Sequence, residues 1–209
     1  TPKHHMTVSP VDTPAVLLRR NDVFGKLMRA CADFPAVPCA VVHPCDHDSL
    51  MGAIEAARQG LIEPVLVGPQ AKIRAVADAA GVDLTPYRLV STEHSHAAAQ
   101  QAVAMAQSGE VQALMKGSLH TDELMSAVVD KEKGLRTDRR VSHAFVMDVP
   151  SLDHPIIVTD GAINIFPTLK DKMHILQNAI DLAHSLGIKE PKAAILSAME
   201  TVKDRKSTR

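Results

Sequence analysis

The chain has 209 residues, 45% of them hydrophobic and 22% charged, with a formal net charge of -1. That is enough apolar material for one core or two compact lobes, and near-neutrality with scattered basic residues excludes an electrostatic nucleic-acid binder. Only 2% of residues are aromatic, with one Tyr and no Trp, which excludes base-stacking platforms and aromatic peptide grooves.

The opening stretch from Thr1 to Met6 does not begin with Met, and residues 1–20 are expected to form a flexible segment outside the fold. From Pro35 onward, short β-branched runs alternate with Ala-rich amphipathic segments. Ala40–Val42, Val65–Val67, Arg88–Val90 and Ala113–Met115 read as buried parallel strands. Segments 49–59, 70–80, 94–107 and 121–133 read as helices, with Gly60, Gly81, Gly109 and Gly134 placed to end each in a left-handed turn. A βαβα order of this kind predicts an α/β fold, a parallel sheet covered by helices.

After Gly134 the alternation breaks, and a second lobe is expected: residues 21–138 form the first and 139–209 the start of the second. Its elements are strands over Val141–Val149 and Ile156–Thr159 and a helix over Thr168–Leu186. In that helix Thr168 and Asp171 have capping-box spacing, and Leu169, Met173, Leu176, Ile180 and Ala183 form an apolar stripe. A further strand is predicted over Lys192–Ser197. The polar tail Lys203–Arg209 directly after it reads as a second lobe that stops early.

Cys31, Cys39 and Cys45 include no CxxC pair, so a reducing, cytoplasmic setting is expected. No run approaches the ~20 apolar residues of a membrane span, and no apolar leader follows a charged start; neither a membrane nor a secreted location is expected.

The strongest chemical signal is Lys116-Gly117-Ser118-Leu119-His120-Thr121, where a strand runs through a cation and a glycine into a helix start. Ligands of parallel α/β sheets bind at the carboxyl ends of strands, and free N–H groups at a helix N-terminus attract anions. Lys116 adds a point charge, Gly117 admits close backbone approach, and the Ser118 and Thr121 hydroxyls are placed to cap the helix or to bind a phosphate oxygen. The same pattern also fits an ordinary capped βα turn.

Arg136, Arg139 and Arg140 read by composition as a solvated basic turn, and at a crossover between lobes as a bidentate clamp. Asp160 and Asn164 lie past a strand end, with Gly161 permitting an unusual turn. Asp160 either orients a basic group or simply closes that turn. In His43-Pro44-Cys45-Asp46-His47-Asp48, Asp46 or Asp48 is the expected helix N-cap. The pair spacing of a zinc site is absent, so no metal is expected there. His94 and His96 open a helix and read as surface residues.

Several of these stretches in fixed order resemble the phosphate acetyl/butyryl transferase family. They are His43–Asp46 with Glu63–Pro69, Met115–Asp122, Arg140–Asp148, Val158–Asn164, Gln177–Ala183 and Ala194–Val202. The likeness runs from about residue 35 to residue 202. It is greatest to the branch that fuses the transferase to an enoyl-CoA hydratase domain. The resemblance implies two α/β lobes of isocitrate dehydrogenase-like architecture with a ligand cleft, usually in a homodimer. It implies the reaction acyl-CoA plus phosphate to acyl phosphate plus CoA, with coenzyme A and phosphate as substrates and no metal or redox cofactor.

On the matching positions it implies that Lys116, Gly117, Ser118, His120 and Thr121 line the cleft from one lobe. Arg139, Arg140, Ser142 and His143 would flank the crossover, and Asp160 with Asn164 would face them. Lys116, Arg140 and Asp160 would act in catalysis and the others in substrate binding. Family members continue past Glu200-Thr201-Val202 with a portion that completes the second lobe and carries an Asp that assists the thiol. A non-catalytic remnant that still binds CoA or phosphate is the alternative reading. A metal-dependent decarboxylating dehydrogenase is disfavoured, because it needs clustered aspartates that the sequence does not show.

Overall fold

A computed structural model describes residues 22–196. The expected flexible segment 1–20, most of the stretch Ala194–Val202 and the tail from Lys203 lie outside the described residues. The chain divides into two compact units: Arg29–Arg140, and the described residues up to Met28 together with those from Val141 onward.

The Arg29–Arg140 unit holds a four-stranded parallel sheet of β1 (Val37–Val42), β2 (Ile62–Gly68), β3 (Arg88–Ser91) and β4 (Ala113–Lys116), in the order β3-β2-β1-β4. Helices α2 (His47–Arg58), α3 (Gln70–Ala80), α4 (Ser95–Gln107) and α5 (Thr121–Val128) alternate with the strands. β1 is central, with Val42 beside Val67 of β2 and beside Lys116 of β4.

Strand pleating sorts the apolar residues to the two faces. Ala40, Val42, Val65 and Val67 pack with Ala98, Ala99, Ala102 and Met105 of α4 and Leu124 of α5. Val41 and Leu66 face the other way, onto Leu50, Ala53 and Ile54 of α2 and Ile73 and Ala77 of α3. Each fully buried Val, Leu or Ile contributes about 1.5–3 kcal/mol, so β1 and β2, covered on both sides, anchor the unit. Small alanines on α4 let that helix lie close to the sheet.

Caps explain the helix limits. The Asp46 carboxylate accepts from Ser49 N at 2.8 Å, and the His94 ring nitrogen accepts from Ala97 N at 3.1 Å. Gly60, Gly81 and Gly109 carry positive φ at helix ends, as expected, whereas Gly134 does not. α5 stops at Val128 rather than residue 133. The Asp130 carboxylate accepts from the amides of Glu132 and Lys133, a side-chain turn that competes with helix continuation. Gly134 is needed for space instead: a Cβ there would collide with the Asp130 carbonyl.

α1 (Val23–Cys31), which the sequence pattern did not reveal, begins beside Asp22, whose carboxylate accepts from Gly25 N at 2.8 Å. In the other unit, β5 (Ala144–Met147) and β6 (Ile156–Thr159) pair antiparallel with Phe145 opposite Val158. β5 is shorter than the predicted Val141–Val149 because the antiparallel register with β6 covers only four residues. α6 (Leu169–Ser185) has both hydrogen bonds of the Thr168/Asp171 capping box. Its covered face centres on Ile175 and Ala183, while Leu169 and Met173 of the expected stripe are exposed. Residues 192–196 form no strand, since no described strand runs beside them; Ser197 lies outside the described residues.

Candidate functional site

In the sheet order β3-β2-β1-β4 the connections leave β1 toward β2 on one side, and the chain returns to β4 on the other. The carboxyl ends of β1 and β4 therefore flank a topological switch point, where ligands of open α/β sheets bind. Two turns meet there, 43–46 after β1 and 117–120 after β4.

They are fastened by main-chain and hydroxyl contacts. Gly117 N donates to the Val42 carbonyl at 2.8 Å and Ser118 N to the His43 carbonyl at 2.9 Å. Ser118 Oγ donates to the same carbonyl at 2.9 Å, accepts from Cys45 N at 3.1 Å, and stands 3.2 Å from His43 Nδ1. Gly117 is glycine because a Cβ would lie 2.5 Å from the Val42 oxygen and 2.6 Å from the His43 oxygen. Its missing side chain thus serves the union of β1 with β4.

Ser118 and Thr121 do not cap α5, as the pattern had suggested. The N-cap is His120, which offers no side-chain hydrogen bond, so the first-turn amides of α5 point outward without a side-chain cap. Lys116 is exposed, and its Nζ donates to the Gly117 carbonyl at 3.2 Å. The turn thus presents an ammonium and helix N-terminal amides on one edge, a combination that favours an anion. Asp122 and Glu123 also occupy the first turn of α5, and Glu123 lies 3.6 Å from His96.

Charge around the switch point is mixed. Burial, with the Lys72 ammonium second, lowers the His43 imidazole pKa, against an opposing hydrogen bond to the Ser118 backbone and the carboxylates of Glu123 and Asp46. Burial pushes the Cys45 thiol up. Hydrogen bonds from Ser49 hold the Asp46 carboxyl low, and Lys116 adds to this. Among the described residues no group of three His, Cys, Asp or Glu side chains is gathered to hold a metal ion.

Arg136, Arg139 and Arg140 are exposed, and Arg139 N donates to Thr137 Oγ1 at 3.1 Å. The remaining candidates belong to the unit that starts at Val141. Asp160 there closes its turn: Oδ1 accepts from Ala162 N at 3.0 Å and Ile163 N at 2.9 Å, and Oδ2 from Asn164 Nδ2 at 2.6 Å. Burial raises the Asp160 pKa, but those amides, Asn164 and the His143 backbone outweigh it and hold the carboxyl low. Gly161 has no positive φ, so the turn is set by the carboxylate rather than by glycine.

Asn164 Nδ2 also donates to the Val141 carbonyl at 2.9 Å, and Asn178 Nδ2 to Ser142 Oγ at 2.8 Å. Thr159 Oγ1 donates to the His143 carbonyl at 2.6 Å. The His143 ring meets Phe145 edge-on at 4.2 Å, and its Nδ1 is buried without a hydrogen-bond partner. The structure therefore gathers Lys116, Gly117, Ser118, His120 and Thr121 in one unit and Ser142, His143, Asp160 and Asn164 in the other. Sequence reasoning missed the part played by His43. Its signal was a histidine directly after a central strand, but the partner that gives it meaning is 75 residues away.

A sequence model of the family described as phosphate acetyl/butaryl transferase matches residues 91–208, more than half of the chain. A phosphate acetyltransferase of Rickettsia felis is 56% identical over 180 residues, covering 86% of this chain and 52% of that protein. The one from Rhizobium meliloti is 57% identical over 180 residues, covering 86% and 57%. A phosphate butyryltransferase of Clostridium beijerinckii is 32% identical over 179 residues, covering 86% and 59%. The chain thus spans little more than half the length of these relatives. The crystal structure of a phosphotransacetylase from Streptococcus pyogenes shares the fold at a TM-score of 0.68 and 18% identity, covering 79% of this chain and 59% of that one.

Proposed function

Because the chain belongs to the phosphate acetyl/butaryl transferase family, we propose that it serves a phosphate acyltransferase, with acetyl as the transferred group. The reaction is acyl-CoA plus phosphate to acyl phosphate plus free CoA. A phosphate oxygen attacks the thioester carbonyl, the C–O bond forms, and the C–S bond breaks as CoA leaves and takes up a proton. The relatives named phosphate acetyltransferase support acetyl over longer chains.

The observation that carries this reading is the turn Lys116–Thr121 at the switch point, with an exposed ammonium beside the uncapped start of α5. Such a turn suits a phosphate, and its positive potential also suits the oxyanion of the tetrahedral intermediate. In this reading Lys116 and Arg140 supply charge to phosphate and oxyanion. Gly117, Ser118, His120, Thr121 and Arg139 are the substrate-binding residues of the Arg29–Arg140 unit, and Ser142, His143 and Asn164 those of the other. Asp160, whose oxygens are taken up by its turn, acts by holding Asn164.

No metal or redox group enters the reaction as written. A homodimer and a cytoplasmic setting belong to the same proposal. The setting is supported by three unpaired cysteines and by the lack, among the described residues, of any helix long and apolar enough to cross a membrane. The test is to supply acetyl-CoA and phosphate and to follow acetyl phosphate and free thiol together. Thiol release without acetyl phosphate, or neither product from folded protein, would refute the reading.

A further inference from the structure

His43 is, among the described residues, the one non-glycine position with a positive φ, at 57°. The left-handed positions Gly60, Gly81, Gly109 and Gly187 are glycines, as expected where a Cβ carries an energetic cost. A histidine is one of the few side-chain-bearing residues that tolerates this conformation, and here the conformation aims its ring at the turn after β4. The conformation also turns the His43 carbonyl to accept from Cys45 N at 2.8 Å and from Ser118 N at 2.9 Å.

Ser118 Oγ meets the His43–Cys45 turn at three points. Ser118 Oγ has one proton and two lone pairs. Oγ lies 2.9 Å from the His43 carbonyl, and one lone pair takes the Cys45 amide at 3.1 Å. His43 Nδ1 stands 3.2 Å from the same oxygen, and the hydrogen sits on either partner: Nδ1–H donates to Oγ, or Oγ–H turns to Nδ1 while the His43 carbonyl keeps its two amide donors. Either way Ser118 is held from three directions.

We propose that His43 is a positioning residue of the transferase site, whose ring, through the Nδ1 contact, fixes Ser118 and thereby holds the Lys116–Thr121 turn in the shape that receives phosphate. This rests on the phosphate reading of that turn. The ring touches no reacting atom; it acts through Ser118, and its loss lowers phosphate affinity more than it lowers fold stability.

The test uses inorganic phosphate titrated calorimetrically into the full chain, with thermal midpoints measured alongside, and KM for phosphate set against kcat. His43→Gly keeps the left-handed backbone and removes the ring, whereas His43→Asn tolerates that backbone and places an amide N–H near the Nδ1 position. The expected result is about tenfold weaker phosphate binding and a raised KM for His43→Gly with an unchanged midpoint, and recovery to within about twofold of the parent for His43→Asn. Should His43→Gly not fold, His43→Gln, whose amide reaches the Nε2 position instead, replaces it with the same expected loss. The proposal is overturned if the ring-less variant binds phosphate like the parent, or if His43→Asn is as weak as His43→Gly. A parent chain that binds no phosphate overturns the transferase reading itself, a separate result.

Discussion

Gly117→Ala tests the union of β1 and β4 directly. The added methyl would sit 2.5 Å from the Val42 oxygen and 2.6 Å from the His43 oxygen. Both are main-chain atoms at the end of a buried central strand, so neither can swing aside as a side-chain tip would. Relief requires the β4–α5 turn to lift, which stretches the Gly117–Val42 and Ser118–His43 hydrogen bonds, now 2.8 and 2.9 Å. Losing two such bonds costs about 2 kcal/mol, and strain in a packed site adds about 1–3 kcal/mol. The stiffer unfolded chain returns about 0.4–1 kcal/mol. The net expectation is a loss of about 2–4 kcal/mol, a fall in thermal midpoint of roughly 4–16 °C for a chain of this size. With no Trp to report, urea unfolding followed by far-UV circular dichroism is the assay. Gly52→Ala is the control: it lies inside α2 with nothing within 4 Å of the new methyl and should gain about 0.5–1 kcal/mol. Equal midpoints for the two variants would refute the steric argument.

Asp46→Ala should cost about 1 kcal/mol by removing the cap of α2, with Asp46→Asn close to the parent, read from the same unfolding curves. Because the Asp46 carboxyl is held below its usual range in the folded state, its contribution is complete above the unfolded pKa and fades as pH falls through the folded value. The Asp46→Asn curve should therefore lack that acidic loss. His43, whose pKa is also lowered, disfavours the native state once protonated. Its contribution is whole above the unfolded value of about 6.5 and declines below it, a dependence that His43→Asn should remove. Lys116→Met should weaken phosphate binding about tenfold and flatten its salt dependence, since a charge-assisted contact is lost; calorimetry at two ionic strengths decides it. Thr168→Ala should destabilise by about 1 kcal/mol through loss of the α6 capping box, visible as a lower urea midpoint.

The strands and helices of the Arg29–Arg140 unit were legible because their signals are local. Apolar runs such as Ala40–Val42 and Val65–Val67 mark strands covered on both faces, and Gly60, Gly81 and Gly109 mark helix ends. The failures share a cause as well. α5 stops early because Asp130 offers its carboxylate to two amides, a competition that helical periodicity does not register. Lys192–Ser197 has strand composition, but a strand exists only beside a partner. The exposed Leu169 and Met173 show that a stripe read from spacing can be rotated by what the helix meets.

At the candidate site the reading was half complete. Lys116 and Gly117 stood out from one short stretch, and Asp160 was correctly framed between two roles. The geometry shows the turn-closing one, since both oxygens accept hydrogen bonds within residues 160–164, and leaves the other untested. Ser118 was noticed for its hydroxyl, as a cap of α5 or a ligand of phosphate, and the first of these is not what it does. Its true partners, the His43 carbonyl and Cys45 amide, belong to a turn brought near only by strand pairing. Local sequence cannot encode which strand lies next to which, so His43 was weighed as a metal ligand or a member of a capped turn and not as a partner of Ser118.

The place of β1 between β2 and β4 has a consequence for synthesis. β1 leaves the ribosome well before its second neighbour, and the contact from Cys45 to Ser118 closes a loop of 73 residues. Until then one flank of an almost wholly apolar strand has unpaired main-chain groups, the condition in which nascent chains associate with one another. Nascent chains arrested shortly before Ala113 should accordingly need chaperone protection that chains carrying β4 and its following turn do not.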